Sequence, residues 1–323
     1  MKVKIRKIVN ANYIYLNQNP ASGYLFYNKS TEQVTTFDLE FNHIGTIELG
    51  FKPRFPCSIH PEKAIFLVIS EKQWLGLFDF SGNKVKEFIG DYAGAAFGSD
   101  GNLWTFERAG HQLLKSKIYD ENWELLTIFD LDDSLYDSHL FLTAIPKSKN
   151  MMLELAAGQD GSTILLLTHK NGNISVEEPF PKKCLSRPEF NKDGTRFLSL
   201  EFDDRVLYLY SFPQFEELGK FEYDFESEIC GTTFYVNSEL AIISYDYRYF
   251  LLNTDTMKIV KELIIEGHEP VATEKIFTRL SGDKSLITDI QSMMVVGDKV
   301  FASLLSKTEN KTLVFNRNDF AKD

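Results

Sequence analysis

The sequence predicts an all-β chain, a seven-bladed β-propeller of four-stranded antiparallel blades, and three observations carry that prediction. A strand that ends in an aromatic or apolar residue followed by a polar one recurs at nearly constant spacing. Tight-turn signals recur between those landmarks. A strand at residues 3–9 is left over at the N-terminus, where it can complete the last blade. Six blades is the alternative count, reached if the sixth and seventh repeats are arranged differently.

The first three landmarks are Phe37-Asp38, Phe78-Asp79 and Tyr119-Asp120, spaced by 41 and 41 residues. Thr168-His169, Tyr210-Ser211, Leu252-Asn253 and Phe315-Asn316 continue the series at intervals of 49, 42, 42 and 63, the last lengthened by an insertion. A repeat of ~40–45 residues holding four short strands is the size of a propeller blade, in which radial repetition protects most sheet edges. The strands are named a to d in meander order.

Turn signals place the hairpins inside each repeat. Residues 98–102 (GSDGN) before Leu103-Trp104, and 191–195 (NKDGT) before Arg196-Phe197-Leu198, carry Asp-Gly, which suits the positive φ of a tight hairpin. Equivalent a–b turns fall at 60–63, 146–150, 236–239 and 297–299, with a longer one at 17–23. Ser81-Gly82-Asn83 and Asn171-Gly172-Asn173 mark c–d turns.

Strand a should be innermost and crowded, so small residues are expected there. Gly94-Ala95-Ala96, Gly231-Thr232-Thr233, Cys57-Ser58 and Thr143-Ala144 occupy aligned positions, while Met293-Met294 and Tyr13-Ile14-Tyr15 depart from the pattern. The last repeat supplies only strands a, b and c, so residues 3–9 are expected to be its strand d. Residues 266–289 form an insertion between blades 6 and 7. Within it Pro270 can open a short helix, Ile276, Phe277 and Leu280 share one face of it, and Gly282 can end it.

Residues 1–323 read as one domain, because no Pro/Gly/Ser linker or composition shift divides them although the length exceeds the usual ~100–200. Hydrophobic residues make up 43% and aromatics 14%, enough for a packed core. The net charge of −11 works against a phosphate-tracking surface, so no nucleic-acid partner is expected. No window approaches the ~20 apolar residues of a membrane span, and no membrane partner is expected. Cys57, Cys184 and Cys230 are odd in number, widely spaced and without a C-x-x-C pair. That suggests neither a disulfide framework nor a zinc site, and the cytoplasm is the expected location.

With these repeats in place the chain resembles the WD40/YVTN-like propeller superfamily in repeat length and strand order. None of Trp74, Trp104 or Trp123 precedes an Asp, so the motif that names WD40 repeats is absent. The resemblance therefore implies the fold and leaves function to the site itself.

In a meander of this kind the d–a and b–c loops emerge on one face and the a–b and c–d turns on the other. The two long connections, at 266–289 and around Asp130 to Asp137, are both d–a connections. The expected binding face therefore carries Arg54, Tyr92, Tyr136, His139, Arg187, Arg205, Glu228 and Arg248, a mixture of aromatic residues and both charges that suits a protein or peptide ligand. Asp203-Asp204-Arg205 and Asp246-Tyr247-Arg248 read as turns with a local Asp–Arg pair. The expected function is a non-enzymatic, monomeric interaction module, without cofactor, metal or catalytic residues. The alternative is a metal-dependent hydrolase resembling sugar lactonases, with Asn12, Glu189, Glu228, Asp289 and Gln291 as candidate oxygen ligands near the axis.

Overall fold

The computed structural model describes residues 2–13, 22–28, 31–51, 53–70, 74–109, 113–132, 139–156, 161–186, 188–201, 204–223, 230–245, 248–265, 289–305 and 311–321. It is all-β, with seven blades of four antiparallel strands. The chain opens on β1 (Lys2–Val3) and β2 (Lys7–Val9), which belong to its last two blades. Blade 1 is β3 (Asn12–Tyr13), β4 (Tyr24–Asn28), β5 (Gln33–Phe37) and β6 (His43–Glu48). Blade 2 is β7 (Pro53–Ile59), β8 (Ile65–Ser70), β9 (Trp74–Asp79) and β10 (Lys84–Ile89). Blade 3 is β11 (Tyr92–Phe97), β12 (Leu103–Arg108), β13 (Leu113–Tyr119) and β14 (Leu125–Asp132). Blade 4 is β15 (His139–Ala144), β16 (Met151–Ala156), β17 (Ser162–Lys170) and β18 (Asn173–Glu177).

Blade 5 follows with β19 (Glu189–Phe190), β20 (Arg196–Glu201), β21 (Val206–Ser211) and β22 (Glu217–Glu222). Blade 6 is β23 (Cys230–Tyr235), β24 (Leu240–Tyr245), β25 (Arg248–Asn253) and β26 (Lys258–Ile265). Blade 7 is β27 (Asp289–Val296), β28 (Lys299–Leu305), β29 (Lys311–Asn316) and, as its outer strand, β2. All seven expected landmarks lie at or near the end of a strand c, and every small-residue segment expected in a strand a is found in one. The chain forms two compact units, Ile14–Pro188 and Met1–Tyr13 with Glu189–Asp323.

The expected N-terminal strand is corrected in one respect. Residues 7–9 do pair antiparallel with β29, Ile8 facing Leu313, as a strand d should. Residues 2–3 instead run parallel to β26, Val3 facing Ile265, and make a fifth strand on blade 6. Between them Arg6 turns the chain, its N–H bonded to Val314 O and its guanidinium 2.8 Å from the Asp319 carboxylate. The helix expected around Pro270 to Gly282 lies outside the described residues.

Apolar strands pack face to face between blades. Leu103 joins Leu67, Ile69, Leu75, Leu77 and Phe97 between blades 2 and 3, whereas its neighbour Trp104 joins Leu142, Leu153 and Leu167 between blades 3 and 4. Side chains alternate across a strand, so a strand buried on both faces reads as a continuous apolar run. Each such side chain contributes roughly 2 kcal/mol by burial. A third cluster, Leu198, Leu209, Ala241, Ile243 and Phe250, fills the space between blades 5 and 6. Outer strands are the opposite: β10 is exposed at every position but Phe88. Small residues let strands a approach, for a Cβ on Gly94 would stand 3.2 Å from Cβ of Leu140.

The polar residue of five of the seven landmarks caps the c–d turn. Asp38 Oδ1 accepts the Asn42 N–H at 2.6 Å, Asp79 Oδ1 the Asn83 N–H at 2.9 Å, and Asp120 Oδ1 the N–H groups of Asn122 and Glu124. Ser211 and Asn253 do the same in blades 5 and 6. The a–b turns use the same device, with Asn191, Asn237, Ser148 and His60 as caps. The Asp-Gly turns are longer than two-residue hairpins: Gly101 bonds back to Gly98 O, and left-handed Gly101 (φ 83) and Gly194 (φ 69) close the loops.

Candidate interaction face

Backbone position decides which edge of a blade each residue reaches. At the a–b/c–d edge, polar bonds cross from one blade to the next. Thr36 Oγ1 donates to Phe80 O at 2.8 Å between blades 1 and 2. Phe97 N–H donates to Ser58 Oγ, and Lys63 Nζ donates to Glu121 O, between blades 2 and 3. Ser99 Oγ donates to Ile145 O at 2.7 Å, and Thr127 Oγ1 to Gly172 O at 2.8 Å, between blades 3 and 4. Arg196 bridges to the Asp255 carboxylate at 2.6 Å and to Ser238 O between blades 5 and 6. Arg317 donates to Val236 O of blade 6 and Gly297 O of its own blade 7.

At the b–c/d–a edge, bonds among the described residues tie turns to the connections beside them. Leu49 N–H donates to Glu32 O in blade 1, Arg108 N–H to Asp91 O in blade 3, and Tyr223 N–H to Arg205 O in blade 5. Each ties the b–c side of a blade to an adjoining d–a connection, the one arriving from blade 2 in the case of Asp91. In blade 4 the Ser162 N–H and Oγ bond Cys184 Sγ and Leu185 O, which anchors the connection leaving that blade.

The eight expected residues divide as follows. The backbones of Arg54 and His139 lie in the first half of strands a, at the d–a edge. Arg205 stands in the b–c turn of blade 5 with φ 53, a left-handed conformation that costs an L-residue about 1 kcal/mol. Arg248 opens β25 beside the b–c turn of blade 6. Tyr136, Arg187 and Glu228 fall outside the described residues. Tyr92 has its backbone at this edge, but its ring is 2% exposed in the core between blades 2 and 3, and burial pushes its phenol pKa up. Its side chain is therefore part of the core.

Arg248 shows what sequence spacing missed. Its guanidinium forms a two-pronged bond with Glu262 of β26, Nε to Oε1 at 2.8 Å and Nη2 to Oε2 at 2.5 Å, and lies over the Phe250 ring. That hydrogen bond holds the Glu262 carboxyl below its usual value against a smaller opposing effect of burial. Arg248 thus makes a pair across two strands that the reading of a local Asp–Arg turn did not include. Asp246 itself lies outside the described residues. Only the register of β25 on β26 brings Arg248 and Glu262 together, so no spacing rule would find them.

Among the oxygen ligands considered, Glu189 is buried in strand a of blade 5. Glu228 lies outside the described residues, and the side chains of Asn12, Asp289 and Gln291 are not described. Among the described residues no three His, Cys, Asp or Glu side chains gather in a metal-binding geometry, and no helix is long and apolar enough to cross a membrane. Comparison with family models gives no match, and comparison with curated proteins gives none either.

Proposed function

We propose that this chain is a non-enzymatic interaction module that presents its b–c/d–a face to a protein or peptide, in the manner of the WD40/YVTN-like propellers it resembles. One observation carries the reading: among the described residues, side chains at the a–b/c–d edge bond the next blade, which commits those turns to the scaffold. The connections at the other edge differ widely in length, from the two residues between β10 and β11 to the 23 between β26 and β27. Loops that vary over a fixed scaffold are where binding residues concentrate. Arg54, Tyr136, His139, Arg187, Arg205, Glu228 and Arg248 remain the residues assigned to contact, whereas Tyr92 belongs to the core. The reading takes residues 1–323 as one cytoplasmic, monomeric domain, on the strength of their uniform composition and unpaired cysteine number.

The test is co-purification of tagged protein from its native host, repeated with two double variants that first must melt like the parent. Arg205→Ala with Arg248→Ala should lose the partner. Lys170→Ala with Lys192→Ala, on the other edge, should keep it. The opposite pattern overturns the assignment of the face.

A further inference from the structure

Blade 2 caps its a–b turn with an imidazole where blades 5 and 6 use the amides of Asn191 and Asn237. His60 Nδ1 accepts the Glu62 N–H at 3.1 Å and the Lys63 N–H at 3.0 Å. A nitrogen accepting two hydrogen bonds carries no proton, so the ring is neutral with its proton on Nε2. Nε2 is itself buried and has no hydrogen-bond partner. The ring packs edge-on to Phe97 at 5.1 Å and to Trp123 at 6.4 Å, both from blade 3. A Cβ on Gly101 would stand 3.0 Å from Nε2, so the blade 3 turn closes directly over the ring.

The lid on this ring is the c–d turn of blade 3. Trp123 holds a left-handed conformation (φ 64), which a bulky residue adopts at a cost of about 1 kcal/mol, and its ring faces both His60 and Phe97. Lys63 Nζ reaches over the Trp123 ring at 5.8 Å and bonds Glu121 O at 3.1 Å, with the Glu121 carboxylate at 3.4 Å. One neutral imidazole thus sits beneath the latch that joins blades 2 and 3.

We propose that His60 makes the seam between blades 2 and 3 acid-labile. A proton taken from solvent onto Nδ1 turns the acceptor of two backbone N–H bonds into a donor that faces them. The a–b turn of blade 2 then loses its cap, and the Lys63–Glu121–Trp123 latch built on that turn loosens with it. The charged groups on the surrounding elements are Glu62 and Lys63 on the same turn, Asp120 and Glu121 on the c–d turn of blade 3, and Asp100 on its a–b turn. Burial and then the Lys63 ammonium oppose the proton, outweigh the attraction of Glu121, and lower the His60 pKa from 6.5 to about 4. The unfolded chain binds this proton through that window and the folded chain does not. Stability is therefore complete above pH 6.5 and falls as pH drops from 6.5 toward about 4.

The experiment is urea unfolding of the full chain at about pH 7.5 and about pH 5, for the parent and for His60→Asn and His60→Gln, beside an NMR titration of the histidine rings. The His60 share of the loss is a roughly thirty-fold fall in the folding constant between those pH values. Both variants should lack that share whatever their stability at neutral pH, and one ring of the folded parent should titrate well below 6.5. The proposal is overturned if every ring titrates near 6.5, or if a variant that folds keeps the full acid loss of the parent. Should neither variant fold, the ring titration alone decides.

Discussion

Among the described residues, the two edges of the blades are held together differently. At the a–b/c–d edge, side chains reach the backbone of the next blade: Thr36 to Phe80 O, Ser99 to Ile145 O, Thr127 to Gly172 O, Arg317 to Val236 O. At the b–c/d–a edge, Arg248 reaches Glu262 of its own blade, Arg205 O and Glu32 O accept from connections beside them, and Asp91 O, in a connection, accepts from Arg108 at the end of β12. A turn whose atoms hold a neighbour in register is costly to change. The difference also shows that polarity alone does not mark a binding surface. Lys63 reads as an ordinary surface lysine, yet it spans two blades; Arg248 reads as a turn partner of Asp246, yet it braces two strands.

The comparison is broken most forcefully at the N-terminus. Deleting residues 1–9 removes the outer strand of blade 7 and the fifth strand of blade 6 together, and takes Arg6 from Asp319. The expected result is loss of a cooperative melt and aggregation through the bared edge of β29, read by circular dichroism and size-exclusion chromatography. A truncated chain that stays soluble and melts within about two degrees of the parent would show that these strands decorate the fold rather than complete it.

Arg317→Met gives the next largest effect, because it leaves Val236 O and Gly297 O without their charged donor at a partly buried site. A loss of about 2–4 kcal/mol in urea unfolding is expected. The smallest effect belongs to the other edge. Arg248→Met breaks a pair whose arginine side chain is 47% exposed, and should cost about 1 kcal/mol or less. If Arg248→Met proved as damaging as Arg317→Met, the distinction between a latched edge and a variable edge would fail.

Much of the fold could be read from particular residues. Phe37-Asp38, Phe78-Asp79 and Tyr119-Asp120 mark strand ends because the aromatic residue sits on a buried strand and the aspartate caps the turn that follows. Both demands are local, so both leave a sequence signal. Trp123 and Phe41 hid theirs: each takes the left-handed position that Gly82 fills in blade 2, and an aromatic residue there does not announce a turn. Their rings explain the choice, since Phe41 stacks on Phe37 at 5.0 Å and Trp123 covers His60. The face was legible at the level of which loops share an edge, and less so residue by residue. Tyr92 looked like an anchor and is core, because alternation along β11 turns it inward.

The sequence alone carried the blade repeat, the meander within each blade, and the edge to which each turn belongs, and pairing in the fold settled seven blades over six. Hydrophobic alternation and turn chemistry act over a few residues and repeat every blade, so their sum is readable without knowing any long-range contact. Only the tertiary structure decided how the N-terminal residues divide between blades 6 and 7, which charges pair, and which turns latch a neighbour. Those outcomes depend on register between strands far apart in sequence, as when Val3 meets Ile265 or Arg196 meets Asp255. A shift of a single residue there would change every partner while leaving the local pattern untouched.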